Sequence, residues 1–390
     1  MRYDRQWSFY NPVRVRSGPG LINELPAFAT QAGSGRSEAG RGLIVTSPGF
    51  TARGLTARVR ELFGDQRLEV IDAVRPNPDI KAIETARARL QGKNIQFIIG
   101  IGGGSVLDTA KSLSYLLSVD QPQFSLKKHL VDKAHLPQVN PLFMIAVPTT
   151  AGTGSEATNF ATVWDSENQK KYSLTGPNLF PGIALLDPEL TLSLPEETTV
   201  VTGLDVLSHA LESVWNFNAG PVSISYAARA IDIVLDTLPA LLKDPHNLDS
   251  RSKMLTGSLC GGICISATRT ALAHSISYPI TAALGAPHGL ACSFTLPALL
   301  KFNAKNDDGR IKMAAALVGC SSIDELLSRI RELFAAVDIN KLLARYQVSA
   351  ENVLALSAEM FTPERSGNNL RPAGPEDVKA ILHNALYNSP

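Results

Sequence analysis

The sequence predicts a two-part fold, an α/β half on a parallel sheet (residues 1–194) followed by an all-helical half (residues 195–390). Three observations predict it: short apolar runs bounded by turn residues, helix-like stretches between them, and a change to long helical spacing after about Leu194. The length agrees, since 390 residues exceed what one ordinary core organises.

In the first half, Leu43-Ile44-Val45, Leu68 to Ile71, Phe97-Ile98-Ile99, Leu142 to Val147 and Ile183 to Leu186 read as buried strands. Thr51 to Phe63 and Ile80 to Leu90 read as the helices between them, so the sheet is doubly covered and parallel. Such sheets bind ligands at the carboxyl ends of their strands. In the second half, Leu204, Leu207, Leu211 and Val214 recur at helical spacing, and Ile231 to Leu242, Leu290 to Leu300 and Val353 to Met360 continue the pattern. Ala32 to Gly40 reads as a flexible surface insertion and Ser366 to Glu376 as a further loop. No internal repeat or low-complexity tract stands out.

Charge excludes several classes of partner. With 37 basic against 36 acidic residues, no global field favours nucleic acid or a membrane surface, and any anionic ligand must be recognised locally. The start, Met1-Arg2-Tyr3-Asp4-Arg5, lacks the apolar core of a signal peptide, and no stretch has the apolar length of a membrane span, so a cytoplasmic protein is expected. Cys260, Cys264, Cys292 and Cys320 do not make a disulfide framework in so long a chain and read as ordinary buried thiols.

Two strand ends carry phosphate-binding character. Ile98-Ile99-Gly100-Ile101 runs into Gly102-Gly103-Gly104-Ser105 and then a helix-like segment with Asp108 and Lys111. Glycines let backbone N–H groups approach a phosphate, and the helix N-terminus adds partial positive charge. The pattern is not G-x-G-x-x-G, and one glycine turn after a strand is commonly only a turn. A second strand end, Val147-Pro148-Thr149-Thr150-Ala151-Gly152-Thr153-Gly154-Ser155-Glu156, adds hydroxyls and flexible backbone at the same expected edge.

Metal-binding character lies in the second half. Asp205 and His209 are four apart and project from one helix face, where a carboxylate and an imidazole can grip one ion. Alone, such a pair is more often a surface hydrogen bond. His274 and His288 sit among Ala, Leu, Ile and Pro, where an imidazole needs a metal or a hydrogen-bond partner. Three imidazoles and one carboxylate suit Fe, Zn, Ni or Co with open coordination positions. His129, His135 and His246 lie in polar or loop-like contexts and read as solvated surface residues.

With these motifs in order, the chain resembles the iron-containing (group III) alcohol dehydrogenase family almost end to end. The resemblance rests on Pro76-Asn77-Pro78, Gly102 to Ser105 with Asp108 and Lys111, Pro148 to Glu156, Asp187-Pro188, Gly203-x-Asp205-x-x-x-His209-x-x-Glu212, and Pro287-His288-Gly289. It implies a dehydroquinate synthase-like fold, with a Rossmann-like N-terminal dinucleotide-binding domain and a helical metal-binding domain, commonly in a homodimer. Asp205, His209, His274 and His288 fall on the family's metal-ligand positions and favour Fe(II). Gly102, Gly103, Gly104, Ser105, Asp108, Thr149, Thr150, Thr153, Ser155 and Lys171 fall on its cofactor-binding positions, although Lys170 beside Lys171 also fits a solvated basic pair. Glu212, three residues beyond His209, suits either a residue that orients a ligand or a helix-surface carboxylate.

Two departures from the family pattern matter. Ser47 stands after Val45-Thr46, where many NAD-preferring members have an aspartate that would repel a 2′-phosphate, so NADPH is expected to be accepted alongside NADH. Tyr278 precedes Pro279 where many members have a histidine near the nicotinamide; it suits either a hydroxyl hydrogen bond or a packed aromatic before a helix-breaking proline. The run Thr268 to Pro279 resembles the branch that reduces phosphonoacetaldehyde to 2-hydroxyethylphosphonate. Arg269 there suits an anionic substrate tail, although five residues from His274 is roughly 140° round an ideal helix. The expected activity is therefore metal-dependent, NAD(P)H-linked reduction of a small, anionic aldehyde. Rival expectations keep the fold and reduce sulfoacetaldehyde, maleylacetate or a neutral short-chain aldehyde, or give a metal- and nucleotide-binding protein without activity.

Overall fold

The computed structural model describes residues 6–30, 41–64, 68–121, 123–132, 136–168 and 170–387. The expected insertion Ala32 to Gly40 and His135 lie outside the described residues. The chain divides into two units, one of residues 11–150 and 155–191 and the other of residues up to Tyr10, 151–154 and 192 onward.

In the first unit the described strands are β1 (Arg14–Ser17), β2 (Arg41–Thr46), β3 (Leu68–Ile71), β4 (Ile95–Gly102), β5 (Phe143–Pro148), β6 (Phe160–Asp165), β7 (Lys170–Thr175) and β8 (Ile183–Leu186). One parallel sheet runs in the order β1-β8-β5-β4-β2-β3, and β6 and β7 form a separate antiparallel hairpin. Successive strand residues face opposite sides, and both sides are covered. Leu43 and Ile98 pack with Val106, Leu107 and Leu113, whereas Ile44, Ile99 and Ile145 pack with Leu25, Phe50 and Val59. Burial on both faces is why these strands read as unbroken apolar runs.

Helices α1 (Ile80–Leu90) and α2 (Gly104–Leu116) lead into and out of the central strand β4. The Asp79 carboxylate caps α1 by accepting the N–H groups of Lys81 and Ala82. The chain steps from β2 outward to β3, then returns past β2 to β4. The carboxyl ends of β2 and β4 therefore flank the point where the winding reverses, the place where open α/β sheets seat ligands.

The second unit is helical. It includes α3 (Glu196–Val214), α4 (Pro221–Lys243), α5 (Leu248–Thr268), α6 (Leu272–Leu284) and α7 (His288–Ser293). Leu204, Leu207, Leu211 and Val214 of α3 are all buried, as their spacing requires. Among the described residues, no helix is long and apolar enough to cross a membrane.

Several local expectations are corrected. Thr51 to Phe63 is not one helix, because Gly54 at φ 76 separates Pro48–Ala52 from Leu55–Phe63. Leu290 to Leu300 likewise breaks into α7 and Leu296–Ala304, with Pro297 in the first turn of the new helix, where its missing N–H is harmless. Val353 to Met360 is split between Ala350–Ala355 and a 3₁₀ turn at Ser357–Glu359. Pro279 does not break α6, which continues to Leu284 because packing outweighs local propensity there. His129 is not on the surface: it is buried in the short helix Leu126–Asp132, its ring stacked on Phe124 at 6.1 Å. His246 is exposed as expected.

Candidate metal centre and nucleotide loop

In the sheet unit, the glycine-rich segment closes tightly. β4 ends at Gly102 and α2 begins at Gly104. A Cβ on Gly102 would lie 2.5 Å from Val106, and one on Gly103 3.2 Å from the Thr150 hydroxyl. The Thr149 N–H donates to the Gly102 carbonyl at 3.0 Å, tying the ends of β4 and β5 together. Ser47 directly follows β2, whose Thr46 is in register with Ile101 of β4. Ser47, Gly102 to Ser105, Thr149 and Thr150 thus share one carboxyl edge.

Asp108 is engaged within its own unit. It accepts the Ser155 hydroxyl at 2.6 Å and the Thr162 N–H at 2.8 Å, and lies 3.6 Å from the ammonium of Lys111. Lys111 is fully buried and donates to the Thr158 hydroxyl and the Phe160 carbonyl, each at 2.7 Å. Burial pulls Lys111 down to about 8, against the opposing pull of Asp108, and pushes the neighbouring Glu156 up to about 7. Lys171 stands on β7 with its ammonium 5.8 Å from the Trp164 ring, while Lys170 is exposed. Thr153 belongs to the segment 151–154, which counts with the helical unit. There Gly154, at φ 59, meets Gly262 of α5 so closely that a Cβ would come 2.3 Å from the Gly262 Cα.

The helical unit brings together all four expected ligands. On α3, Asp205 and His209 point the same way, with His209 Nε2 3.6 Å from Asp205 Oδ1. His274 in the first turn of α6 brings its Nε2 to 4.0 Å from the same carboxylate oxygen. The His209 and His274 rings stack at 4.9 Å, and the His288 ring meets His274 edge-on at 5.2 Å. Asp205, His209 and His274 are buried, and His288 is half-buried at the start of α7.

Gly289 explains why a glycine follows His288. A Cβ there would lie 1.9 Å from the Val201 carbonyl oxygen and 3.0 Å from the Asp205 Cβ. Only glycine lets α7 close on α3 and carry His288 to Asp205.

Glu212 is no surface carboxylate. Fully buried one turn beyond His209, it accepts the N–H groups of Ala271, Ala273 and His274, and meets His274 Nδ1 at 2.6 Å. Burial pushes its carboxyl up to about 7, and the three backbone N–H groups pull the other way. Those donors need an acceptor, so the proton of this contact lies on His274 Nδ1 and the lone pair on Nε2 faces Asp205. This carboxylate–imidazole arrangement is how proteins orient a metal-binding histidine.

One member of the cluster was missed. Cys292 Sγ lies 3.6 Å from His288 Nε2, and a donor atom from each of Asp205, His274, His288 and Cys292 falls within 4.8 Å of the others. A buried thiol suggests ordinary packing, and its place one helical turn after His288 is the signal that the sequence carries. The donor set fits a divalent transition metal: a carboxylate, imidazoles with inward lone pairs, a fixed tautomer and a soft thiol within reach. His209 is not in that group of four: its Nε2 stands beside Asp205, and its Nδ1 is buried without a hydrogen-bond partner among the described residues.

Tyr278 and Arg269 meet different fates. The Tyr278 ring stacks parallel on His288 at 5.8 Å, with a 3° angle between planes, and lies beneath the Arg365 guanidinium at 4.4 Å. Arg269 is not on a helix with His274, so the 140° estimate does not apply. It closes α5 at φ 69, in the left-handed region, and its carbonyl accepts the Asn216 side-chain amide at 3.0 Å.

The comparisons with known proteins agree with this geometry. The profile of the iron-containing alcohol dehydrogenase family matches residues 12–188, and that of the Fe-containing alcohol dehydrogenase family C-terminal region matches residues 199–386. A sulfoacetaldehyde reductase of Bilophila wadsworthia (strain 3_1_6) is 28% identical over 93% of this chain and 96% of that protein. A phosphonoacetaldehyde reductase of Streptomyces viridochromogenes is 33% identical, over 66% of this chain and 66% of that one. The crystal structure of sulfoacetaldehyde reductase from Bifidobacterium kashiwanohense in complex with NAD+ superposes with a TM-score of 0.89 at 29% identity, covering 98% of this chain and 99% of that one. A glycine-rich sheet edge, a buried carboxylate–imidazole cluster and two family profiles that together span nearly the whole sequence lead to one assignment: the chain belongs to the iron-containing alcohol dehydrogenase family.

Proposed function

We propose that this protein reduces a small aldehyde with an anionic tail, phosphonoacetaldehyde first among them, to the alcohol, with NADPH or NADH as hydride source. Residues 1–194 serve the dinucleotide in this reading and residues 195–390 hold the metal, in a cytoplasmic homodimer. The observation that carries it is the gathering of Asp205, His274 and His288, with His209 beside Asp205 and Glu212 fixing the His274 ring. These residues would hold an Fe(II) ion, which would supply Lewis-acid polarisation of a carbonyl oxygen.

The chain's own residues do the rest. Asp205 would offset an ion's positive charge, the imidazoles would hold it as neutral donors, and buried Glu212 keeps the Nδ1 proton of His274 in place. Tyr278, stacked on His288, shields one face of that imidazole from water. In the sheet unit, Ser47 brings no negative charge to the edge where a 2′-phosphate would lie, so both cofactors are accepted. The named substrates of two relatives support an anionic aldehyde, and sulfoacetaldehyde is the second reading because one full-length structural match and one full-length sequence relative are sulfoacetaldehyde reductases.

The test is Fe(II)-loaded protein with NADPH or NADH and a panel of phosphonoacetaldehyde, sulfoacetaldehyde and propanal, followed by loss of nicotinamide absorbance. Turnover with the phosphonate at the highest kcat/KM is expected. No turnover with any aldehyde would overturn the enzyme reading, and equal kcat/KM for propanal would overturn the anionic tail.

A further inference from the structure

We infer that Arg365, and not the arginine nearest the histidine in sequence, binds the anionic tail of the substrate. The inference rests on the anionic-aldehyde reading above and assigns it a residue. Arg365 lies in the short helix Pro363–Ser366, far along the chain from every other member of the site.

Its position is set by a rivet between that segment and α6. The Ser275 hydroxyl, next to His274, donates to the Met360 carbonyl at 2.6 Å and lies 2.7 Å from the Thr362 hydroxyl. The Thr362 N–H in turn donates to Ser275 Oγ at 3.1 Å. Ser275 is buried, so these contacts are shielded from competing water. They hold the chain at Thr362, and Arg365 follows three residues further on, over the Tyr278 ring of α6.

From there the guanidinium reaches the Tyr278 ring at 4.4 Å, and Tyr278 lies flat against His288. The result is a stack of guanidinium, phenol and imidazole that ends on a candidate metal ligand. Among the described residues no carboxylate pairs with the Arg365 side chain, and its one contact of that kind is with the Tyr278 π face. A cation held by an aromatic ring keeps its in-plane N–H donors for another acceptor. Arg365 is half-buried, which strengthens an ion pair made there relative to one in open water.

The chemistry matches a tetrahedral oxyanion. A guanidinium offers two parallel N–H donors to a phosphonate or sulfonate. A two-carbon aldehyde has its oxyanion at one end and its carbonyl at the other, and the stack from Arg365 through Tyr278 to His288 offers a cation at one end and a candidate metal ligand at the other. Arg269, by contrast, has its backbone committed to closing α5.

The experiment measures kcat/KM for phosphonoacetaldehyde and for propanal in Fe(II)-loaded wild type, Arg365→Ala, Arg365→Lys and Arg269→Ala, with methylphosphonate as a competitive inhibitor. In Arg365→Ala the phosphonoacetaldehyde to propanal ratio should fall by roughly 10- to 150-fold, the loss of a hydrogen bond to a charged group. Methylphosphonate inhibition should weaken in step, and Arg365→Lys should fall between the two. An unchanged ratio in Arg365→Ala, or loss of the ratio in Arg269→Ala alone, overturns the assignment while leaving the substrate reading intact. A wild type that does not prefer the phosphonate overturns the substrate reading itself, and Arg365 falls with it. Should Arg365→Ala fail to fold, the ratio and the inhibition constant of Arg365→Lys decide.

Discussion

Two buried polar clusters, one in each unit, solve the same problem in opposite ways. In the sheet unit Asp108 and Glu156 are accompanied by a built-in cation, Lys111, whose donors are spent on Thr158 and Phe160. In the helical unit the groups facing Asp205 and Glu212 are imidazoles, and Glu212 turns His274 so that a lone pair points inward. In the first cluster Asp108 and Lys111 find their partners within their own unit, while Glu156 Oε1 is buried with no hydrogen-bond partner among the described residues. The second brings electron-pair donors together in one place, an arrangement that suits a divalent cation. Both sit inside motifs shared with the family, so motif membership alone does not separate scaffold from reaction centre. The direction in which lone pairs and protons point does.

The sharpest way to break this contrast is to remove a converging donor. His274→Ala should lose bound iron, read by metal analysis of the dialysed protein, and lose activity by about 10³-fold or more, since a Lewis acid lowers the barrier by several kcal/mol. Full activity in metal-free protein would show that the helical cluster is also only structural. Glu212→Gln is milder, because it keeps the shape and leaves the four donors intact. Metal affinity should weaken by about 10- to 100-fold, the usual effect of altering a residue that orients a ligand. Unaltered affinity, measured by chelator competition, would mean that the 2.6 Å contact does nothing for His274.

The smallest effect belongs to the sheet unit and is read as stability against pH. Glu156 holds its proton up to about pH 7 when folded, against an ordinary value of 4.5. Between those values the folded state carries a proton that the unfolded chain has released, so its stability falls as pH rises through that window. Lys111 acts in the next window, where the folded value of about 8 against 10.5 makes stability recover as pH rises. Glu156→Gln should therefore remove a slope of up to about 1.4 kcal/mol per pH unit between about pH 4.5 and pH 7. Urea denaturation midpoints taken across that range should run flatter than those of wild type. A slope as steep in the variant as in wild type would deny that burial of this carboxyl governs it.

Much of this was legible in the residues, for identifiable reasons. β2, β4 and β5 are buried on both faces and so announce themselves as apolar runs, whereas the edge strand β1 has four exposed residues and carries no such pattern. The β6–β7 hairpin alternates polar and apolar residues in stretches too short to stand out. Asp205 and His209 were readable because helical periodicity places them side by side. Arg365 was not, because what brings it to Tyr278 is a hydroxyl contact between residues 87 apart in sequence. Cys292 carried a local signal at helical spacing, hidden by the ordinary behaviour of buried thiols. Arg269 shows the converse: nearness in sequence was taken for nearness on one helix, and the helix ends between them.

The short segment 151–154 carries one more consequence. The chain leaves the sheet unit after Thr150, gives four residues to the helical body, and returns at Ser155. Gly154 is wedged there against Gly262, a residue synthesised more than a hundred positions later. Neither body is therefore a continuous stretch of polypeptide, and no single cut separates them into self-sufficient modules. During translation the helical body must wait for the carboxyl-terminal half before this wedge can form. Shuffling either half into another protein would leave one partner of the Gly154–Gly262 contact behind.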